Sequence, residues 1–131
     1  DLKKLFPEEE FQFEVPSPEL KLNVDRTQIE QILINLLKNA REACSRKSDK
    51  KIQVKARKLS AGNTTLTISD NGEGILPDVL DKIFVPFFTT KTSGSGIGLS
   101  LCKQIMTLHE GSINVKSEVG KGSSFILTFP K

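Results

Sequence analysis

The segment from residue 29 to residue 43 restricts the fold more than any other part of the chain. Its apolar side chains recur at the i, i+3, i+4 and i+7 spacing of an amphipathic helix, and Asp25 stands just before it as a candidate N-cap. Such a helix needs a second layer of structure against which its apolar face can be buried. The apolar positions are Ile29, Ile32, Leu33, Leu36, Leu37, Ala40 and Ala43.

Strand signals supply that layer, and they come in pairs. Apolar and polar residues alternate over residues 52–57 and again over 65–69, with the turn signal Ser60-Ala61-Gly62-Asn63 between them. A second hairpin is predicted on either side of Gly120-Lys121-Gly122. Its alternating apolar positions are Ile113 and Val115 on one side and Phe125, Leu127 and Phe129 on the other.

An edge strand over residues 11–15 and a second helix over residues 99–108 complete the prediction. Strands grouped in hairpins, with the helices kept apart from them, are typical of the α+β class. The sequence therefore predicts a two-layer α/β sandwich rather than a doubly wound parallel sheet.

The composition indicates one folded, soluble domain. The chain has 131 residues, of which 37% are apolar and 27% charged, with a net charge of +3. The basic residues form no stripe interleaved with aromatics, so we expect no nucleic-acid partner. No apolar run approaches the roughly 20 residues of a membrane span, so we expect no membrane contact in this segment. The basic stretch Arg46–Lys51 is interpreted as a solvated loop.

The two cysteines, Cys44 and Cys102, fall in different predicted helices and have no paired spacing. We expect free, buried thiols, as suits a reducing compartment. The chain opens at Asp1 rather than at methionine, which indicates a fragment of a larger protein.

Two asparagines, Asn35 and Asn39, stand one turn apart beside the apolar stripe of the long helix. Asparagine is a mediocre helix former, and breaks of local preference concentrate at functional sites. An amide oxygen is a suitable ligand for Mg²⁺. The other interpretation, in which both amides face solvent or bond to a neighbouring segment, stays open.

The strand that ends at Asp70 runs directly into Asn71-Gly72-Glu73-Gly74. The carboxylate of Asp70 could accept a hydrogen bond from an exocyclic amine, and the alternating glycines would let the backbone approach a flat ligand. Taken alone, Asp-Asn-Gly is also an ordinary turn signal.

A glycine-rich stretch, Gly94–Leu99, stands immediately before the second helix. Such a backbone presents free N–H groups and a favourable dipole to a phosphate. It is neither a dinucleotide fingerprint nor a P-loop, because no strand directly precedes it and no Gly-Lys-Ser/Thr ending follows. Lys91 could add a positive charge. Upstream, Phe84–Phe88 contains three phenylalanines, which either pack in the core or expose a docking patch.

In this order and spacing, the segments resemble the catalytic ATP-binding domain of sensor histidine kinases, of the superfamily that includes gyrase, the ninety-kilodalton heat-shock chaperone and mismatch-repair ATPases. The resemblance covers about residues 25 to 130 and treats residues 1–131 as one such domain. It implies the Bergerat fold, with a mixed, mostly antiparallel sheet covered on one face by helices. The matching boxes are Gln31–Ala43 (N box), Asp70–Gly74 (first glycine box), Phe84–Phe88 (F box), Gly94–Leu99 (second glycine box) and Gly120–Phe125 (last glycine box).

The resemblance implies that ATP and Mg²⁺ are the cofactors. Asn39 would be the Mg²⁺ ligand with Asn35 supporting it, and Asp70 would bind the adenine amino group. The base pocket would be lined by Gly72 and Gly74, and the lid over the phosphates would include Gly94, Gly96 and Gly98. Ile75, Ile97 and Leu99 would also belong to the nucleotide-binding residues.

The phosphate-contacting cation is open, because Glu42 and Ala43 stand where many members have a basic residue and often an aromatic one. Lys91 is preferred and Arg41 comes second. The short lid with Thr89-Thr90-Lys91 resembles that of nitrogen-regulation kinases.

Gyrase-like ATPases have a glutamate base at the position of Asn35, so the resemblance implies poor hydrolysis and phosphoryl transfer to a protein group instead. The acceptor would be a histidine on separate dimerisation helices, with a response regulator reached indirectly. His109 stands in a turn, so we expect it to be structural. The isolated domain is expected to be a cytoplasmic monomer whose parent protein can be membrane-anchored. A nucleotide-responsive module that signals through the F box without phosphotransfer is the alternative; a serine kinase of the anti-sigma type is less favoured, because those relatives keep an acidic residue at position 35.

Overall fold

A computed structural model describes residues 12–14, 25–88 and 98–130. Within these ranges the chain forms one sheet and three helices. In chain order the elements are β1 (Gln12–Glu14), α1 (Arg26–Ala43), β2 (Ile52–Lys58), β3 (Thr64–Asp70), α2 (Pro77–Leu80), α3 (Gly98–Leu108), β4 (Ser112–Glu118) and β5 (Gly122–Phe129).

The strands of the sheet lie in the order β1-β2-β3-β5-β4. β1 pairs in parallel with β2, and every other neighbouring pair is antiparallel. The mixed, mostly antiparallel sheet, both hairpins and the edge strand are therefore confirmed. The central pairing, β3 with β5, joins strands from the two hairpins.

Helices α1 and α3 cover one face of this sheet, and the apolar stripe of α1 lies in the core as its spacing predicts. Ile32 and Leu37 of α1 are completely buried, as are Met106 of α3 and Leu127 of β5. The two-layer α+β sandwich is thus confirmed. No helix in the described part of the chain is both long and apolar enough to cross a bilayer.

The long helix begins where its cap residue predicts. The Asp25 carboxylate accepts a hydrogen bond from the backbone N–H of Gln28 at 3.0 Å, which satisfies one of the free donors of the first turn. The helix ends at Ala43, and Cys44 is its C-cap. The prediction that Cys44 lies within the helix is therefore wrong by one residue. Both thiols are free and buried, as expected, and burial raises the pKa of Cys102 to about 11.

His109 joins the two long helices. Its Nδ1 donates to the carbonyl of Ile105 at 2.8 Å, and its Nε2 accepts the backbone N–H of Asp25 at 3.1 Å. Both ring nitrogens are therefore used, in the neutral form that carries its proton on Nδ1. The structural role predicted for His109 is confirmed.

Helix α3 ends in a Schellman motif. The N–H of Gly111 donates to the carbonyl of Met106, and the N–H of Glu110 donates to that of Thr107. Glu110 occupies the left-handed position of this motif with φ 59°, where glycine is usual. Gly111 faces β5 so closely that an added Cβ would meet the carbonyl oxygen of Thr128.

Replacing Glu110 with glycine should stabilise the fold by about 1 kcal/mol, because a left-handed backbone is costly for a side-chain-bearing residue. For a domain of this size the melting temperature should rise by roughly 3–5 °C in a calorimetric or circular-dichroism melt. Gly111→Ala is the matched change at the next position and should lower it. An unchanged or lower melting temperature for Glu110→Gly would contradict this assignment.

Candidate functional site

The helix-facing side of the sheet changes from apolar to polar at its last rung. Ile68 of β3 stands opposite Phe125 of β5, and both are buried. Two residues further, Asp70 stands opposite Ser123, which in turn stands opposite Ser117 of β4. Because alternate residues of a strand share a face, these three side chains lie on the helix-covered side. We call Asp70, Ser123 and Ser117 the polar rung.

The carboxylate of Asp70 is partly buried and held by backbone donors. One oxygen, Oδ1, accepts the N–H of Gly72 at 2.8 Å, and the N–H of Ser123 also donates to the carboxylate. Burial raises the pKa of Asp70, and these two hydrogen bonds oppose the rise without cancelling it. A carboxylate at such a position is suited to accept a donor from a bound ligand.

The glycines after Asp70 serve the packing of the loop itself. A Cβ on Gly72 would lie 2.5 Å from the carbonyl oxygen of Ala43, at the end of α1. One on Gly74, where φ is 78°, would meet the carbonyl of Glu118 in β4. The sequence explained these glycines by the approach of a ligand, whereas the structure shows that the protein's own backbone already requires them. Their place in a base pocket stays a prediction.

Three further hydrogen bonds fix the loop that contains these glycines, residues 71–75. The N–H of Glu73 donates to Ala43 at 3.1 Å, and its carbonyl accepts the N–H of Gly120 at 2.9 Å. The N–H of Ile75 donates to Oγ of Ser117 at 2.8 Å. The loop is thus held between the end of α1 and the β4–β5 hairpin, directly beside the polar rung.

Asn71, which follows Asp70, makes contacts that sequence reasoning missed. Its Oδ1 accepts the N–H of Lys51 at 2.8 Å and the thiol of Cys44 at 3.5 Å, and its Nδ2 donates to the carbonyl of Asp49 at 3.0 Å. Burial, with a contribution from the charge of Asp70, raises the pKa of Cys44, so this thiol keeps the proton that it donates.

The basic stretch Arg46–Lys51 was expected to be a solvated loop, and it is mostly exposed. The hydrogen bonds of Asn71 to Lys51 and Asp49 also hold it against the end of β3. The hairpin register could have revealed this contact, because Ile52 pairs with Asp70 and their neighbours must meet.

The two helix asparagines have different surroundings. The amide of Asn35 donates to the carbonyl of Gly98 at 3.4 Å and to the thiol of Cys102 at 3.8 Å, so it contacts the start of α3. Its Oδ1 accepts a hydrogen bond from Gln31 at 3.4 Å. This contact corresponds to the interpretation in which the amide bonds to a neighbouring segment. Asn39 lies one turn further along α1 and is half-buried.

The predicted lid is described only at its end, where Gly98 and the half-buried Leu99 begin α3. The remaining lid predictions lie outside the described residues. They are Lys91, Gly94, Gly96 and Ile97, together with Thr89 and Thr90.

The aromatic segment after α2 divides between the two roles that the sequence left open. Phe84 is half-buried against the core, with the Lys103 ammonium 5.7 Å from its ring centre. Phe87 is 75% exposed and has a left-handed backbone, with φ 68°. Val85 is exposed as well, so the segment both packs and presents an apolar surface.

Comparison with known proteins identifies the family to which this architecture belongs. The profile of the family described as "Histidine kinase-, DNA gyrase B-, and HSP90-like ATPase" matches residues 24–131. The chain belongs to this family. The resemblance drawn from its boxes is thereby confirmed, and ATP is the nucleotide that the family implies.

Two groups of relatives are informative. The sensor histidine kinase ZraS of Salmonella typhimurium is 39% identical over 110 residues, which cover 84% of this chain but 23% of that protein. The catalytic domain of the histidine kinase ThkA has a TM-score of 0.85 and 36% identity, with 99% of this chain and 88% of that chain covered. ThkA in complex with the response regulator protein TrrA gives 0.78 and 31%, and covers 99% and 38%. This chain thus spans less than a quarter of the length of ZraS.

The raised pKa of Asp70 predicts opposite pH dependences for stability and for nucleotide binding. A raised pKa means that the folded state binds this proton more tightly than the unfolded state does, so ionisation of Asp70 lowers stability as pH rises. Affinity for ADP should rise over the same interval, because only the ionised group accepts from an amine with both oxygens. Melts and calorimetric titrations from about pH 4, the usual pKa of an aspartic acid, up to neutral pH measure both.

The control for this experiment is Asp70→Asn, which should remove that part of both pH profiles that belongs to this carboxyl. Profiles of wild type and variant that run parallel would show that Asp70 does not titrate in the interval.

Proposed function

We propose that this chain is the ATP-binding catalytic domain of a sensor histidine kinase, and that it holds Mg-ATP while the γ-phosphoryl group passes to a histidine on separate dimerisation helices. The observation that carries the proposal is the polar rung at the end of the sheet, with the carboxylate of Asp70 held beside the loop 71–75. The membership of the family and the sensor kinases among the relatives support it.

The base end of the site is built around Asp70. An ionised carboxylate accepts hydrogen bonds and donates none, so it suits the exocyclic amino group of adenine. Gly72, Gly74 and Ile75 would line the pocket from the loop that the end of α1 and the β4–β5 hairpin hold in place. A loop fixed before the ligand arrives loses little conformational entropy on binding.

The phosphate end would lie at the start of α3. A helix N-terminus offers unpaired N–H groups and the positive end of the helix dipole, and α3 begins at Gly98 against the amide of Asn35. Gly94, Gly96, Ile97 and Leu99 would complete the lid over the phosphates. Lys91 is the preferred cation there, with Arg41 second.

The residues on α1 fit a magnesium ion that arrives with the nucleotide. The described residues contain no group of three His, Cys, Asp or Glu side chains that could hold a metal. Mg²⁺ does not require one, since it commonly keeps several waters and takes one or two protein oxygens together with substrate phosphates. The half-buried amide of Asn39 would be the protein ligand, with Asn35 supporting it. When bound, the ion neutralises charge on the phosphates.

The chain is suited to transfer rather than hydrolysis. The carboxamide of Asn35 cannot remove a proton from water, and it is already engaged with α3. Phosphoryl transfer depends chiefly on positioning and electrostatics, which this site can supply without a base of its own. The acceptor would be a histidine of the parent protein, because His109 uses both ring nitrogens to join α1 and α3. A response regulator would then receive the phosphoryl group from that histidine, as the ThkA complex with TrrA suggests.

A second candidate function is a nucleotide-responsive binding module that signals without phosphotransfer. The exposed apolar surface of Val85 and Phe87 favours it, since such a surface is suited to contact a partner. The two functions share the nucleotide site and differ only in whether a phosphohistidine forms.

Asp70→Asn should weaken binding of Mg-ADP by about 100-fold in isothermal titration calorimetry. The reason is that the NH₂ group of the asparagine and the amino group of adenine are both hydrogen-bond donors. Asn39→Ala should reduce the dependence of affinity on Mg²⁺. Asp81→Asn is the matched control, since it makes the same change at an exposed turn residue, and it should bind as wild type does. Equal affinities for Asp70→Asn and wild type would refute the assignment of the base end.

Phosphotransfer can be tested by mixing the chain with the histidine-bearing helices of its parent protein and γ-labelled ATP. Acid-labile, alkali-stable label on those helices is the expected result, with only slow release of phosphate when the chain is incubated alone. A chain that binds ATP tightly but labels no histidine would support the binding module instead.

A further inference from the structure

The hydroxyl of Ser117 lies at the centre of a hydrogen-bond network that the function described above leaves unexplained. It donates to the carbonyl of Gly122 at 3.0 Å and accepts the N–H of Ile75 at 2.8 Å. Its oxygen also lies 2.8 Å from Oγ of Ser123. Ser117 thus joins the β4–β5 hairpin, the loop 71–75 and the middle member of the polar rung.

The single proton of Ser117 links the direction of the last of these bonds to that of the first. A serine hydroxyl has one proton to donate and two lone pairs to accept with. Ser117 uses its proton on Gly122. With that proton on Gly122, Ser123 is the donor in the bond between the two serines, and the lone pairs of Ser123 remain for other contacts.

Two acceptors are then adjacent on the rung. Asp70 and Ser123 are directly opposite in the register of β3 and β5, which places their Cβ atoms about 5 Å apart. An ionised carboxylate and a hydroxyl whose proton is already used both require donors from a ligand. An amino group meets this requirement, whereas a carbonyl oxygen in the same place would face two acceptors.

We propose that Ser117 is a positioning residue for base selection: it holds Ser123 as an acceptor and holds Ile75 at the base pocket, so that a 6-amino purine is preferred over a 6-oxo purine. This inference rests on the proposed function, because it takes the polar rung as the place where the base binds. It adds a residue that touches no part of the nucleotide and acts through Ser123 and Ile75.

The structure offers a matched control on the opposite face of the same strands. Ser69 and Ser124 are 2.9 Å apart, hydroxyl to hydroxyl, one residue away from the polar rung on β3 and β5. Because adjacent residues of a strand point to opposite faces, this pair lies on the side of the sheet away from α1 and α3. Removing it deletes the same kind of bond without touching the rung.

The experiment compares ADP with inosine 5′-diphosphate, which differs in having an oxo group and a protonated ring nitrogen in place of the 6-amino edge. Affinities of both are measured by calorimetry for wild type, Ser117→Ala, Ser117→Thr and Ser124→Ala, at a temperature where melts show all four to be folded. Ser117→Ala should weaken ADP about 10-fold and narrow the preference for ADP over the inosine nucleotide by at least 5-fold. The preference should narrow because the freed hydroxyl of Ser123 can then donate to the oxo group.

Ser117→Thr keeps the hydroxyl, so its affinity for ADP and its preference for ADP over inosine 5′-diphosphate should equal those of wild type. Ser124→Ala should also match wild type in both. In a Ser123→Ala background, Ser117→Ala should leave the preference unchanged while still lowering affinity through Ile75. A merely structural serine would lower the affinity for both nucleotides by the same factor, and an unchanged preference in Ser117→Ala would overturn the proposal. Asp70→Asn, measured alongside, distinguishes failure of the proposed function from failure of the role given to Ser117. If Asp70→Asn left ADP binding intact, the proposed function would fail and this inference with it. If it weakened ADP binding while Ser117→Ala left the preference unchanged, only the inference would fail.

Discussion

The antiparallel pairing of β3 with β5 is the interaction on which the rest of the structure depends. It joins two hairpins that are distant in sequence, and it sets Ile68 against Phe125 in the core and Asp70 against Ser123 at the edge. A shift of one residue would turn every one of these side chains to the other face of the sheet. A single register thus fixes both the core and the candidate site. The positions of the site residues are therefore as stable as the packing of the core beside them.

Local patterns predicted the elements well, because each is encoded within a short stretch. The cap at Asp25, the stripe of α1 and the two turns are all readable from neighbouring residues. Asp70 could also be found, since a carboxylate at the tip of a strand followed by glycines is a local signal. The end of α1 was misplaced by one residue at Cys44, where fraying and capping leave no sharp sequence mark.

The contacts between site residues that are distant in sequence could not be predicted. Ser117 is an unremarkable serine in the sequence, and Ser123 is there only one member of the last glycine box. Only the pairing of three strands aligns both with Asp70. The same holds for Asn35, whose partner at Gly98 lies 63 residues away. Gly72 was found for a reason different from the one that the structure supplies, because a close approach of backbone to backbone leaves the same mark in sequence as an approach to a ligand.

The contacts between α1 and α3 have a consequence for the far end of the site. Asp25, at the start of α1, bonds to His109, which follows the end of α3. Asn35, further along α1, bonds to Gly98 at the start of α3, so the two helices run in opposite directions. A slide of α3 by one residue, about 1.5 Å, would break both bonds together. An imidazole about 16 Å along the helix axis from Gly98 therefore helps to set how far the start of α3 stands from Asn39. A residue outside the proposed nucleotide site thus helps to set the spacing between Asn39 and the start of α3, where the phosphates are proposed to bind.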